Sequence, residues 1–162
     1  MKHHSMSIKE MDLERYIEDS VDINILVKTS YQKETSVGTY RCLLLYKQHK
    51  KYIENTIANV VSPNHVMVLG LIEAVKHIKL HNVKVCIISG IYVGFKAAAK
   101  NKGMYANEVN EIVDIVEKQG NTISSIAITD GMDEIKRIMR KYEGEMHFNK
   151  NVLQEIIEEF YM

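Results

Sequence analysis

Apolar positions in this chain cluster into three runs near the start, at residues 23–29, 38–46 and 52–61. Runs of this length with apolar and β-branched residues are typical of strands. The polar segments between them, residues 32–36 and 48–51, are short enough to be hairpin connections. The pattern therefore predicts an antiparallel meander of three strands.

The next segment changes to helical spacing. Ser62 and Pro63 are typical of an N-cap followed by the first helical residue, because proline has no N–H to leave unpaired there. Apolar residues then recur at intervals of three and four over a helix that we predict to end near Leu80. They are Val68, Leu71, Ile72, Val75 and Ile78. Residues 83–89 are nearly all apolar and predict a central strand.

The remaining chain continues this alternation. We predict a helix over residues 91–100, a break at 101–103, a second helix ending near Gly120 and a strand over residues 122–129. Asp130 is a suitable N-cap for a following helix. Residues 142–147 are mostly charged and predict a connection without regular structure.

Both ends of the chain predict helical additions. Residues 7–10 have the spacing of a capping box and open a helix that we expect to reach Asp19. Residues 149–161 predict an amphipathic helix with Leu153, Ile156, Ile157 and Phe160 on one side. The expected organisation is an N-terminal helical extension (1–21), an α/β domain (22–145) and a C-terminal amphipathic helix (146–162).

Composition narrows the class of protein. A chain of 162 residues fits one domain, and no apolar run approaches the roughly 20 residues of a membrane span. Lys and Arg together equal Asp and Glu at 21 each, so the molecule lacks a strong positive field. Cys42 and Cys86 each lie in a strand-like run, which favours reduced core thiols and a cytoplasmic location.

Four segments carry a resemblance to a known family. They are 25–30 (ILVKTS), 37–46 (VGTYRCLLLY), 62–75 (SPNHVMVLGLIEAV) and 85–93 (VCIISGIYV). In this order they resemble the first two strands, the first helix and the fourth strand of the ribonuclease H family, over about residues 23–141. The resemblance implies a five-stranded mixed sheet flanked by helices, with three antiparallel hairpin strands and two parallel strands.

The resemblance also implies a site, and this chain departs from it. The family holds two divalent cations with carboxylates, and its acidic positions fall here on Lys28, Met67 and Ser89. An ammonium close to the metal position repels a divalent cation by several kcal/mol, and a thioether is a soft ligand for a hard ion. Asp133 is the one candidate for a retained acid, although the helix dipole alone favours an acid in a first turn.

We therefore expect no catalytic activity, no bound metal and no cofactor. The resemblance points instead to a binding or regulatory module whose most favoured partner is a protein, or a second copy of the chain, docked on the helix with Leu153, Ile156, Ile157 and Phe160. The alternative is non-catalytic binding of a nucleic-acid duplex. A divergent metal-dependent nuclease is the third and weakest interpretation.

The nucleic-acid alternative rests on a basic hairpin with aromatic residues between its charges. Its candidate contacts are Arg41, Lys47, Lys50, Lys51 and Tyr52. Such a surface can follow a phosphate backbone. The same pattern also describes the solvated face of an ordinary edge hairpin.

Overall fold

The computed structural model describes residues 4–7, 13–91, 93–128 and 132–148. Six strands are present in these ranges: β1 (His4–Ser7), β2 (Ile23–Gln32), β3 (Val37–Tyr46), β4 (His49–Ile57), β5 (Lys84–Ser89) and β6 (Thr122–Ala127). The same ranges contain five helices: α1 (Leu13–Asp19), α2 (Pro63–Lys76), α3 (Phe95–Ala99), α4 (Ala106–Lys118) and α5 (Met132–Phe148).

The strands form one mixed sheet in the order β1-β6-β5-β2-β3-β4. β2, β3 and β4 pair antiparallel, whereas β5 pairs parallel with both β2 and β6. The predicted sheet of three hairpin strands and two parallel strands is confirmed. In addition, β1 pairs parallel with β6 and extends the sheet by a sixth strand.

Each face of the sheet carries its own apolar core because successive side chains of a strand point to opposite faces. On the front face, Ile25 and Val27 of β2 pack with α2 and α4. On the back face, Leu26 packs with α1 and α5. The apolar character of the central strands is thus explained, because β2 and β5 are covered on both faces. Cys42 and Cys86 are buried free thiols, as predicted.

Two predicted connections are wrong. The hairpin between β3 and β4 turns at Lys47 and Gln48, and β4 begins at His49 instead of after Lys51. Lys47 takes a left-handed φ of 54°, which Asn or Gly would normally signal. Residues 142–147 are also not a connection, because α5 continues through them to Phe148. Tyr142 packs against the back core and so holds the charged segment in the helix.

Other observed element boundaries differ from the predicted ones by a few residues. The helix predicted to reach Leu80 ends at Lys76, where the His77 N–H donates to the carbonyl oxygens of Ala74 and Val75. The helix predicted over 91–100 is limited to α3. Ser7, the predicted cap, is the last residue of β1, and the following helix is described from Leu13. The predicted cap at residue 130 and the helix over 149–161 lie outside the described residues.

None of the helices in the described ranges combines the length and the apolar character needed to cross a membrane.

Candidate functional site

The three positions that resemble degenerate metal ligands lie together. β2 and β5 are parallel neighbours, so their carboxyl ends reach the same edge of the sheet. Lys28 lies in the second half of β2, Ser89 ends β5, and Met67 lies in the second turn of α2. All three line one cavity of about 210 Å³ at this edge. We call it the strand-end cavity.

None of these three side chains presents a carboxylate to the strand-end cavity. Ser89 is 1% exposed, and its hydroxyl donates a hydrogen bond of 2.6 Å to the carbonyl oxygen of Ile91. Met67 is 6% exposed and belongs to the front core. Lys28 also lines the cavity, but its side chain alternates with that of front-face Val27 and so belongs to the same face as Leu26 and Arg41. The cavity therefore offers a thioether and a locally engaged hydroxyl, with a lysine of β2 at its edge.

A second cation stands next to Lys28 on the sheet. Arg41 of β3 is its cross-strand partner, and Glu54 of β4 is the partner of Arg41 on the other side. The Arg41 guanidinium is paired with the Glu54 carboxylate, which also accepts a hydrogen bond from the Tyr52 hydroxyl at 3.1 Å. The carboxylate nearest in register is thus already paired with an arginine and a tyrosine.

The candidate for a retained acid lies elsewhere. Asp133 is exposed in the first turn of α5 and is not among the described residues that line the strand-end cavity. Across the described residues, no group of three or more His, Cys, Asp or Glu side chains is arranged to hold a metal ion. Within the described residues, the side chains therefore provide no other set of metal ligands in place of the missing acids.

The structure separates one of the candidate nucleic-acid contacts from the others. Lys51 is 8% exposed and lies on the front side of β4, where burial lowers its pKa. Burial, and after it the charge of Lys51, lowers the pKa of His77. Lys50 lies over the ring of Tyr142 on the back, with 4.5 Å from the amine to the ring centroid. These two neighbouring lysines therefore point to opposite faces.

Two of the other three contacts, Arg41 and Tyr52, lie on the back face with Lys50. Arg41 and Tyr52 meet at Glu54, and Lys47 sits in the hairpin turn with its amine 5.1 Å from the ring centroid of Tyr46. Of the five candidates, Lys51 is the one placed on the front face. A role for these five residues in nucleic-acid binding stays a prediction.

The helix with Leu153, Ile156, Ile157 and Phe160 lies outside the described residues, so its docking also stays a prediction.

Sequence reasoning missed a larger concave surface beside the strand-end cavity. This apolar groove has a volume of about 750 Å³, and its walls come from the start of α2, the loop after β5, α3 and the start of α4. It shares Asn64, Met67 and Ile91 with the strand-end cavity. Four separate segments build it, and no single segment carries a recognisable pattern. The one available signal was an isolated Met104 in a polar loop.

A polar contact fixes one wall of the apolar groove. The hydroxyls of Ser62 and Tyr105 lie 2.6 Å apart, and the Tyr105 ring stacks on the His65 ring with centroids 5.2 Å apart. Ser62 is also the N-cap of α2, because its hydroxyl oxygen accepts a hydrogen bond from the His65 N–H. The loop before α4 is thereby attached to the start of α2.

Comparisons with known proteins support the fold. No family model matches the sequence, and no curated protein matches it. Among solved structures, the chain is similar to the N-terminal RNase H domain of rv2228c from Mycobacterium tuberculosis, determined as a fusion with maltose-binding protein. The TM-score is 0.52 at 11% identity, over 74% of this chain and 99% of that domain. The fold is ribonuclease H-like. At this identity, the similarity carries the fold alone, because one fold hosts many activities.

Proposed function

We propose that this protein is a catalytically inactive ribonuclease H-like domain that works as a binding or regulatory module, with a protein as its partner. The observation that carries the proposal is the strand-end cavity, where Lys28, Met67 and Ser89 replace the acids that the resemblance implies. Two-metal cleavage of a phosphodiester needs oxygen ligands to hold both cations.

Electrostatics supports the proposal that no metal binds at this place. Two unit charges 4 Å apart interact by about 4 kcal/mol at an effective dielectric of 20, and the energy doubles for a divalent ion. Lys28 places a positive charge beside this edge in place of an acid, and Arg41 is its immediate cross-strand neighbour. Neither Met67 nor Ser89 supplies a compensating negative charge.

A protein partner is favoured by the distribution of exposed apolar side chains. Among the described residues, the exposed large hydrophobic side chains are Val21, Val61, Ile91 and Met104. The last three all line the apolar groove. Contiguous exposed apolar surface typically marks a site of protein interaction.

Non-catalytic binding of a nucleic-acid duplex is the second candidate. One observation favours it, since Lys28 and Arg41 are adjacent in register near the end of β2. The formal net charge of zero and the two-sided placement of the hairpin lysines weigh against it. Retention on a duplex that falls steeply with salt would favour this candidate over the protein partner.

A cleavage assay tests the catalytic part of the proposal. The full chain is incubated with a labelled RNA–DNA hybrid in Mg²⁺ and separately in Mn²⁺, and we expect no cleavage above the rate without protein. Asp133→Asn is the matched variant and is expected to behave identically. Metal-dependent cleavage that is lost in Asp133→Asn would contradict the proposal and support a divergent nuclease.

A further inference from the structure

We propose that the apolar groove binds the C-terminal segment 149–162 of a second copy of this chain, so that two copies exchange these segments. The inference deepens the binding role proposed above and does not depend on the outcome of the cleavage assay. It rests on the shape of the groove, its charge and the direction of α5.

The apolar groove has the character of a docking site for an amphipathic segment. Its floor is buried Val68, Val93 and Val109, and its rim is exposed Met104 and Val61, which are 84% and 64% exposed. Small residues leave the space between floor and rim open. They are Gly94, Ala97, Ala98 and Ala106. A groove of this kind accepts the apolar side of a helix through residues spaced by three or four.

The rim is also fixed in place. Met104 directly precedes Tyr105, which is attached to α2 through the Ser62 hydroxyl and the His65 ring. On its other side, the backbone N–H of Lys102 donates to the carbonyl oxygen of Ala97 at 2.9 Å. The loop that contains exposed Met104 is therefore already fixed, so binding of a segment does not have to include the free-energy cost of ordering this loop.

The charge of the residues at the groove favours one kind of docked segment. The only ionisable residues among the described residues that line the groove are Lys102 and Tyr105, and no carboxylate lines it there. Two more exposed lysines, Lys96 and Lys100, belong to α3 and the residue that follows it. An apolar segment that also carries acids is complementary to this surface.

Segment 149–162 has these properties in its sequence. Leu153, Ile156, Ile157 and Phe160 have the spacing of one helical face, and Glu155, Glu158 and Glu159 fall between them against a single lysine at position 150. Three glutamates thus match the three lysines at and beside the groove.

The direction of α5 excludes docking of the segment on its own chain. α5 packs on the back face, whereas the groove lies on the front. The groove lies beyond the carboxyl end of β5, and α5 starts at that edge of the sheet, shortly after β6 ends. It then runs to the other edge, because Lys50, which lies over the ring of Tyr142, is level with the beginning of β2. The 17 residues of α5 span about 25 Å, whereas the four residues 149–152 before Leu153 span at most about 14 Å. A second copy can present its segment without this constraint, and the exchange is reciprocal in a two-fold dimer.

Cysteine cross-linking between two differently tagged full-length chains tests the exchange. One chain carries Met104→Cys and the other carries Phe160→Cys, and both native thiols are buried. After mild oxidation we expect a disulfide-linked heterodimer on a non-reducing gel. Val21→Cys replaces Met104→Cys in the control, because Val21 is 76% exposed and does not line the groove. A yield no higher than that of the control would overturn the inference.

A second measurement separates exchange from docking within one chain. The double variant Met104→Cys/Phe160→Cys forms a closed monomer on oxidation if the segment reaches its own groove, and that result would also overturn the inference. We expect covalent dimers instead. Val61→Asp with Met104→Asp should weaken dimerisation of the otherwise unmodified chain by about tenfold or more in sedimentation analysis, and Val21→Asp should not.

Discussion

Tyr40 and Gly70 meet where β3 contacts α2. A Cβ atom added at Gly70 would lie 2.6 Å from Cγ of Tyr40 and 2.8 Å from its Cβ. Tyr40 is 3% exposed, and atoms this close to the backbone cannot swing away. The position therefore requires glycine although it is inside a helix, where glycine costs about 1 kcal/mol relative to alanine.

Gly70→Ala should consequently destabilise the protein. Overpacking typically costs about 1–3 kcal/mol, and this exceeds the gain in helix propensity. Gly94→Ala is the matched control, because its added Cβ would approach nothing closer than Ala97 Cβ at 3.9 Å. Urea denaturation of both variants measures the difference. Equal stability of the two variants would contradict the packing described here.

Cys42 makes the free energy of unfolding depend on pH in alkaline solution. Burial raises the pKa of its thiol from 9.0 to about 12, so the folded state keeps a proton that the unfolded state loses. This contribution to stability is complete below about pH 9 and is lost as the pH rises toward the folded value. Burial also raises the pKa of Cys86.

The free energy of unfolding should therefore fall between about pH 9 and 11, and Cys42→Ala should make the fall shallower. Chemical denaturation at a series of pH values compares the two slopes. Parallel curves for the native chain and Cys42→Ala would show that the Cys42 thiol is not protected in this way.

At the scale of single residues, the sequence predicted which positions line the candidate site better than it predicted the contacts of their side chains. The resemblance located Lys28, Met67 and Ser89, and the fold brings them to one cavity because the order of strands and helix fixes their positions. It could not predict that the Ser89 hydroxyl is engaged by the Ile91 carbonyl, or that the hairpin lysines divide between two faces. The first fact depends on the local turn after β5, and the second depends on β4 beginning at His49, before the two lysines.

Among the elements, α2 and α4 are joined by amides in the turn after α4. Asn121 is 2% exposed, donates to the Leu80 carbonyl oxygen at 2.8 Å and accepts from the Val83 N–H at 3.0 Å. Gln119 donates to the carbonyl oxygens of Val75 and Ile78 near the end of α2. These bonds satisfy backbone groups between the end of α2 and the start of β5, at Ile78, Leu80 and Val83, and give the Val75 carbonyl a second donor.

Asn121→Ala should lower the stability by about 2–3 kcal/mol, because it removes both bonds and leaves a carbonyl and an N–H unsatisfied in a partly buried place. Asn107→Ala, on the exposed side of α4, is expected to stay within about 0.5 kcal/mol of the native chain. Thermal and urea unfolding measure both. A loss no greater than that of the control would show that these hydrogen bonds contribute little.

Elements were predicted correctly where their residues are buried on both faces of the sheet. They were misplaced where contacts with other parts of the chain determine their boundaries. β2 and β5 are apolar because both faces are covered, and their sequence shows it. β4 is an edge strand with polar residues at its start, so its first residues resembled a turn. β1 has four mostly polar residues, and its pairing with β6 is a tertiary contact without a local signal.

For the whole molecule, two neighbouring concave surfaces have different characters. The strand-end cavity is lined by a lysine, a buried methionine and a buried serine, whereas the apolar groove beside it has exposed hydrophobic residues on its rim. The two surfaces share residues at the start of α2. The fold is ribonuclease H-like, and the proposed binding module depends on both surfaces: an expected loss of metal chemistry in the first and a proposed interaction surface in the second.

The most direct measurement is the anomalous X-ray signal of crystals of the native chain soaked in Mn²⁺. The account predicts no manganese peak in the strand-end cavity, because none of Lys28, Met67 and Ser89 supplies the carboxylate oxygens that such an ion needs. Two manganese peaks about 4 Å apart between Lys28, Met67 and Ser89 would contradict it.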